Sequence, residues 1–198
     1  MPKIFKPTET TGYVDDKITG TADASGGWSS TSINGLTVYY LDTTIASVDT
    51  SLTVPFVMEQ LQSSSSGSGG AYSWAAELTS STNLRIWKAS VNPGTSADAD
   101  YQLMIFKPGT VNVQTAKHAD TITTGTANHD VTISAVSNLN RTYIFPSTHS
   151  ENWPIAGGQN TYALRSELTS TTNLRFASQS SAGGNAVWIS HVVEFLGT

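Results

Sequence analysis

The chain has 198 residues, a net charge of −5, and 13% charged and 38% hydrophobic residues. Its ten Lys and Arg residues are scattered and form no basic stripe that could neutralise phosphates, so we expect no nucleic-acid partner. No apolar run approaches the roughly 18 residues of a membrane-spanning helix, so we expect no membrane partner, and the absence of cysteine excludes disulfides, thiolate zinc sites and cysteine nucleophiles.

The first segment, 1–14, precedes the first predicted strand and lacks the apolar stretch of a Sec signal peptide. We therefore expect the protein to be made in the cytoplasm and used without passing through the Sec pathway. The segment carries two prolines and the apolar residues Ile4 and Phe5. An extended arm of this kind can add to a neighbour's sheet, which makes Ile4 and Phe5 candidate partner-binding residues. The alternative is a disordered start.

Seven short strands are predicted in the first half, because Thr, Val, Ile and aromatic residues alternate there with polar residues between clusters of Ser, Gly, Asn and Asp. The predicted strands cover residues 17–22, 34–41, 43–48, 52–59, 72–79, 83–89 and 99–106. A polar stretch, 24–40, has no counterpart later in the chain and holds Trp28 in a Gly-rich loop. A loop tryptophan can anchor a protein partner or stack on a sugar ring, so Trp28 is a candidate binding residue. The alternative is that it caps the open end of its own domain.

The segment ELTSSTNLR, at 77–85, predicts a β-hairpin. The pleat would place Leu78 opposite Leu84 on the buried face, and Glu77 opposite Arg85 on the exposed face. A Glu–Arg pair on an exposed face contributes little stability and mainly fixes the register. We therefore interpret the pair as part of the scaffold, the alternative being a binding or catalytic pair.

The second half repeats this segment as ELTSTTNLR at 167–175, with eight of nine positions identical. Flanking segments recur in the same order, which predicts two tandem copies of one domain over 1–109 and 110–198. Asn83 and Asn173 follow the two predicted turns, where a short loop favours a residue that tolerates a left-handed backbone.

The second half also reads as short strands, and the chain shows no convincing helical period. The predicted strands cover residues 111–115, 120–125, 130–136, 141–147, 161–169, 173–179 and 186–195. We predict an all-β fold of two tandem antiparallel β-sandwich, jelly-roll-like domains. The loop 149–160 holds Trp153 in polar, Gly-rich surroundings, which makes it a second candidate binding residue with the same alternative of a structural cap.

The sequence contains no local motif that is typical of a catalytic site. The four histidines, His118, His129, His149 and His191, fall in no metal-ligand spacing such as HxH or HExxH. There is no GxSxG elbow and no phosphate-binding glycine loop, and the acidic residues form no recognisable catalytic pair. Alternation places His191 and Glu194 on opposite faces of the last strand. We expect no enzymatic activity, no cofactor and no metal.

The ELTSxTNLR-type hairpin, followed by a last strand that reads VWISHVVEF, resembles domains of the structural proteins of tailed bacteriophages. The resemblance covers most of 111–198 and, more weakly, the first half. It implies a non-catalytic β-sandwich protein that decorates a capsid, or sits on a tail or fibre, in many copies.

This resemblance also implies a location and partners. The protein would reside in the virion, and its partners would be the major capsid or tail protein and further copies of the same chain. The alternative function is a carbohydrate- or receptor-binding module of a phage tail or fibre. In that case Trp28 and Trp153 would contact a glycan.

Overall fold

The computed structural model describes residues 12–23, 27–59, 74–88, 98–122, 125–150, 163–180 and 184–197. These residues form antiparallel β-sheets and two short 3-10 helices over Thr50–Leu52 and Leu139–Arg141, which confirms the predicted all-β class. The first-half strands are β1 (Val14–Ala22), β2 (Ser29–Ile33), β3 (Leu36–Thr44), β4 (Thr53–Glu59), β5 (Ala75–Ser80), β6 (Asn83–Lys88) and β7 (Ala99–Phe106). The second-half strands are β8 (Val111–Ile122), β9 (Gly125–Thr132), β10 (Thr142–Ser150), β11 (Ala163–Ser170), β12 (Asn173–Ser180) and β13 (Gly184–Phe195).

The sheets of the two halves have corresponding strand orders. The first half forms β1-β7-β4 and β2-β3-β6-β5, and the second half forms β8-β13-β10 and β9-β12-β11. β3 pairs with β6 as β9 pairs with β12, so β2 is the described strand without a counterpart. The division into two tandem domains stays a prediction, because a shared buried core joins the halves.

Two strand predictions need correction at their boundaries. The segments 111–115 and 120–125 are joined in one long strand, β8, and 34–41 merges with the start of 43–48 in β3. The polar residues Asp42, Lys117 and His118 do not interrupt these strands. In a strand that pairs along its whole length, their backbone groups stay in the ladder, so side-chain polarity does not end it.

Among the described residues, buried apolar side chains form four clusters, of which two lie within the separate halves and two lie between them. Trp87 of β6 packs in one shared cluster with Val187 and Ile189 of β13. Val54 and Val193 belong to the other shared cluster. Burial of this apolar surface fixes the halves against each other.

The repeated hairpin has the predicted register, with Glu77 opposite Arg85 and Leu78 opposite Leu84. The predicted exposure of Glu77 is wrong, because the side of β5 that carries it is covered by the second half and Glu77 is only 6% exposed. Its carboxylate accepts hydrogen bonds from Trp87 Nε1 at 3.1 Å and from Lys117 Nζ at 2.8 Å.

Arg85 has a different partner from the one predicted. Its guanidinium donates two hydrogen bonds of 2.7 Å to the carboxylate of Asp42 in the neighbouring strand β3. Arg175 makes the same bidentate contact with Asp130 in β9, through hydrogen bonds of 2.8 and 3.0 Å. These bridges hold the pKa of each aspartate below its usual value, chiefly through the arginine hydrogen bonds.

The left-handed backbone predicted for Asn83 and Asn173 is also wrong. Among the described residues, Asn34 is the single non-glycine with a positive φ, at 51°. Asn83 instead uses its side-chain amide, which donates to Asp42 Oδ1 at 2.9 Å and to Thr79 Oγ1 at 2.7 Å. The asparagine is therefore favoured for its hydrogen-bond donors, not for its backbone conformation.

Candidate functional site: an exposed aromatic surface

An exposed group of aromatic side chains forms where strands of both halves end. Tyr13 directly precedes β1, and Phe195 is the last residue of β13. The backbone amide of Lys107 donates to the carbonyl of Tyr13, and that of Leu196 donates to the carbonyl of Thr110, both at 2.9 Å. The first hydrogen bond extends the pairing of β1 with β7, and the second extends the pairing of β8 with β13.

The ring of Phe195 lies at the centre of this group. Tyr13, Tyr143 and Phe106 surround it at centroid distances of 5.1, 5.5 and 6.0 Å, each with its ring nearly perpendicular to that of Phe195. This edge-to-face geometry is the favoured one, because the positive edge of one ring meets the negative face of another. The three aromatic side chains are therefore held in place before any partner binds.

The group of Tyr13, Tyr143 and Phe195 is called the terminal aromatic surface below. Tyr143 is 57% exposed and Tyr13 is 43% exposed. Among the described residues, Tyr13 and Tyr143 are two of the five exposed large apolar side chains.

A groove of about 670 Å³ runs across the terminal aromatic surface. Its walls are Tyr13, Tyr143, Phe145 and Phe195, with Asn140 and Arg141 as polar neighbours. Concentrated exposed apolar area with a polar rim is typical of a surface that binds another protein.

The sequence-based candidates lie elsewhere. Trp28 is half-buried, packs against the first-half core, and meets Trp74 edge-on at 5.7 Å. The ammonium of Lys88 lies 3.8 Å from the centre of its ring, and burial lowers the pKa of Lys88 to about 8. Trp28 therefore caps the first-half core, and a contact between Trp28 and a partner stays a prediction. Ile4, Phe5 and Trp153 lie outside the described residues.

Two of the residues in the last strand have structural roles. His191 is buried between the halves, where its Nε2–H donates to the carbonyl of Ala76 and its Nδ1 accepts from the hydroxyl of Thr115, both at 3.0 Å. Burial lowers the pKa of His191 to about 4. Glu194 accepts from the amides of Ser137 and Asn138, at 2.6 and 3.0 Å, and so fixes that loop.

The structure brings together two histidines that the sequence separates. The rings of His118 and His129 stack at a centroid distance of 4.2 Å, and Asp120 Oδ2 lies 3.1 Å from His129 Nε2. Burial, and then the neighbouring His129, lower the pKa of His118. The side chain of His149 lies outside the described residues.

Comparison with known proteins gives no relative to guide the interpretation: no protein-family model matches the chain, and neither do curated proteins or solved structures. Within the described ranges, no helix has the length and hydrophobicity needed to cross a membrane. The function is therefore argued from the surface itself.

Proposed function

We propose that the chain is a non-catalytic structural protein of a tailed-bacteriophage virion, a capsid decoration protein that acts through contacts with other proteins. The terminal aromatic surface carries the proposal, because an apolar patch of this kind marks a contact surface. The resemblance of the repeated hairpin and the last strand to phage structural domains supports the virion setting. In an assembly of many copies, weak individual contacts add up to stable attachment.

The occupant of the groove is the N-terminal segment, residues 1–11, of a second copy of the chain. The segment joins Gly12 beside Tyr13, so it starts at the rim of the groove. Fully extended, its eleven residues reach about 36 Å, far enough to pass to a neighbouring molecule. It offers Ile4 and Phe5 as apolar side chains for the aromatic walls of the groove.

Size-exclusion chromatography with light scattering tests this contact. We expect the full chain to form an oligomer, and a variant that lacks residues 1–11 to be monomeric. Tyr143→Ser should also be monomeric, because it removes the most exposed ring of the surface. Tyr39→Ser is the matched control, since Tyr39 lies in β3 outside the terminal aromatic surface. A monomeric full chain, or an oligomer that both changes leave intact, would overturn the assigned occupant.

The virion setting needs its own experiment. Particles purified on a density gradient from a lysate that contains the protein should carry it in many copies, as measured by quantitative mass spectrometry. If the protein stays in the soluble fraction, the virion proposal is wrong. Specific binding on a glycan array, lost in Trp28→Ala, would favour the carbohydrate-binding alternative instead.

A further inference from the structure

A cluster of two imidazoles and one carboxylate lies where the two sheets of the second half approach each other at their edges. His118 and Asp120 are two residues apart in β8 and therefore point to the same face of the strand. His129 reaches them from β9, the edge strand of the other sheet. One nitrogen of each ring and one carboxylate oxygen all lie within 4.8 Å of one another.

The cluster has an apolar wall behind it. The ring of His118 lies 5.8 Å from that of Trp188 and 6.2 Å from that of Phe176, which are both fully buried. Low local polarity strengthens the attraction between a cation and the one carboxylate present. On the solvent side, Asp120 and His129 keep 46% and 22% of their side chains exposed, which leaves a path for an ion to enter.

His118 is held on one side by Asn34, and its other ring nitrogen has no hydrogen-bond partner among the described residues. It is 8% exposed, and its Nδ1 lies 2.6 Å from the side-chain amide of Asn34 in the β2–β3 turn. Its Nε2 is buried without a hydrogen-bond partner among the described residues. A buried nitrogen in this state is costly, and a ligand that bound to it would remove the cost.

Asn34 is placed to prepare that nitrogen for metal binding. A half-turn of its amide exchanges the oxygen and the nitrogen, which occupy nearly the same volume. In the structure the amide nitrogen Nδ2 of Asn34 lies 2.6 Å from Nδ1 of His118 and donates to it. After the half-turn, the ring donates its Nδ1 proton to the amide oxygen and leaves a lone pair on Nε2. A hydrogen bond from the second ring nitrogen is the usual support of a metal-binding histidine.

We propose that His118, Asp120 and His129 bind one divalent transition-metal ion, with Zn²⁺ preferred over Mg²⁺ and Ca²⁺. Two imidazole nitrogens and one carboxylate oxygen suit zinc, whereas magnesium and calcium require mainly oxygen ligands. Three protein ligands leave a fourth position for water or for a side chain of a neighbouring protein.

Binding requires small movements of the two exposed ligands. Tetrahedral ligands at about 2.0–2.1 Å from zinc lie about 3.3 Å apart, so the atoms, now within 4.8 Å, move inward. The His118 and His129 rings are tilted by only 26°, and nearly parallel rings cannot direct their lone pairs at one ion. The His129 ring therefore turns out of the stack, while the buried His118 stays fixed.

Isothermal titration calorimetry with ZnCl₂ tests the site directly, on the full chain without a histidine tag and after treatment with EDTA. We expect one ion per chain, and no binding of MgCl₂. Asp120→Asn and His129→Gln should each weaken zinc binding by at least about 10–100-fold, the loss typical of removing only an outer-shell partner of a ligand. Both positions are partly exposed edge-strand sites, so the variants retain the fold, as circular dichroism would check. His149→Gln is the matched histidine control and should bind like the wild type.

Thermal unfolding gives a second readout that does not depend on assembly or on a virion. Zinc at about 100 times its Kd should raise the Tm of the wild type by about 5–10 °C, because the ion binds the folded chain. The shift should disappear in Asp120→Asn. The proposal is overturned if zinc fails to saturate one site per chain, or if both ligand variants bind it as tightly as the wild type does.

Discussion

Acidification is expected to destabilise the protein through His191, because its imidazole is buried between the two halves in the neutral form. Nε2 carries the proton, since the carbonyl of Ala76 can only accept, and Nδ1 accepts from Thr115. A cavity of about 390 Å³ beside the ring is lined by uncharged residues, including Trp74 and Gln102, among the described residues. No carboxylate of that lining compensates an imidazolium charge.

The magnitude follows from the pKa of His191 in the two states. It is about 4 in the folded protein, lowered by burial, and about 6.5 in the unfolded chain. As the pH falls from 6.5 to 4, the unfolded chain takes up the proton first, so the free energy of unfolding decreases. A difference of about 2.5 pH units at about 1.4 kcal/mol each gives a loss of about 3 kcal/mol. The contribution is complete above pH 6.5, and no further loss occurs below pH 4.

Urea denaturation, followed by tryptophan fluorescence at about pH 7.5 and about pH 4.5, measures this loss. The comparison is His191→Gln, whose amide can still donate to Ala76 and carries no titrating group. The variant should lose about 2.5 kcal/mol less than the wild type between these pH values, because pH 4.5 is still above the folded pKa of His191. Other groups that titrate in this range, including His118, are present in both proteins, so they cancel in the difference. Equal losses in the two proteins would refute the assignment.

Two further predictions compare positions that differ in burial or in backbone conformation. Lys117→Met should lower the free energy of unfolding by about 1–2 kcal/mol, because it leaves Glu77 buried without its charged partner, while Lys117 itself is 43% exposed. Arg165→Ala removes an exposed ion pair of 3.8 Å, so it should lower the free energy of unfolding by less than about 0.5 kcal/mol. Equal losses for Lys117→Met and Arg165→Ala in urea titrations would contradict the reasoning. Gly35→Ala should cost about 1–2 kcal/mol, because Gly35 has φ 86° in the β2–β3 turn. Gly27→Ala has open space around it and no left-handed φ, so its unfolding midpoint should stay close to that of the wild type.

Local patterns in the sequence predicted the parts of the fold that depend on local pairing. Alternation of leucines predicted the register of the repeated hairpin, since Leu78 and Leu84 are both required on one face. The Asn34-Gly35 pair between Ile33 and Leu36 is a strong hairpin signal, and it could have predicted β2 and its turn. The burial of Glu77 could not be predicted in this way, because it depends on a second half more than thirty residues away.

The two sites could not be predicted because neither is local in the sequence. The terminal aromatic surface combines Tyr13, Tyr143 and Phe195, which come from the ends of three strands in different parts of the chain. The histidine cluster has one local signal, His118 and Asp120 at i and i+2 on a strand. A search for adjacent histidines misses it, because His129 comes from another sheet.

The repeated hairpin has one role in both halves and a second role in only one. Its turn accepts backbone hydrogen bonds from Ile45 and Val48 in the first copy, and from Ile133 and Val136 in the second, at 2.8–3.0 Å. The hairpin turn therefore holds the segment that connects β3 to β4 in the first half and β9 to β10 in the second.

The two glutamates of the repeat differ only in what covers them. Glu77 is buried against the second half and binds Lys117, whereas Glu167 stays half-exposed beside Arg165. Because the surrounding nine letters are nearly identical, the difference in burial comes from the packing of the halves and not from the hairpin. A change at Glu77 therefore weakens the contact between the halves, whereas the equivalent change at Glu167 leaves that contact intact.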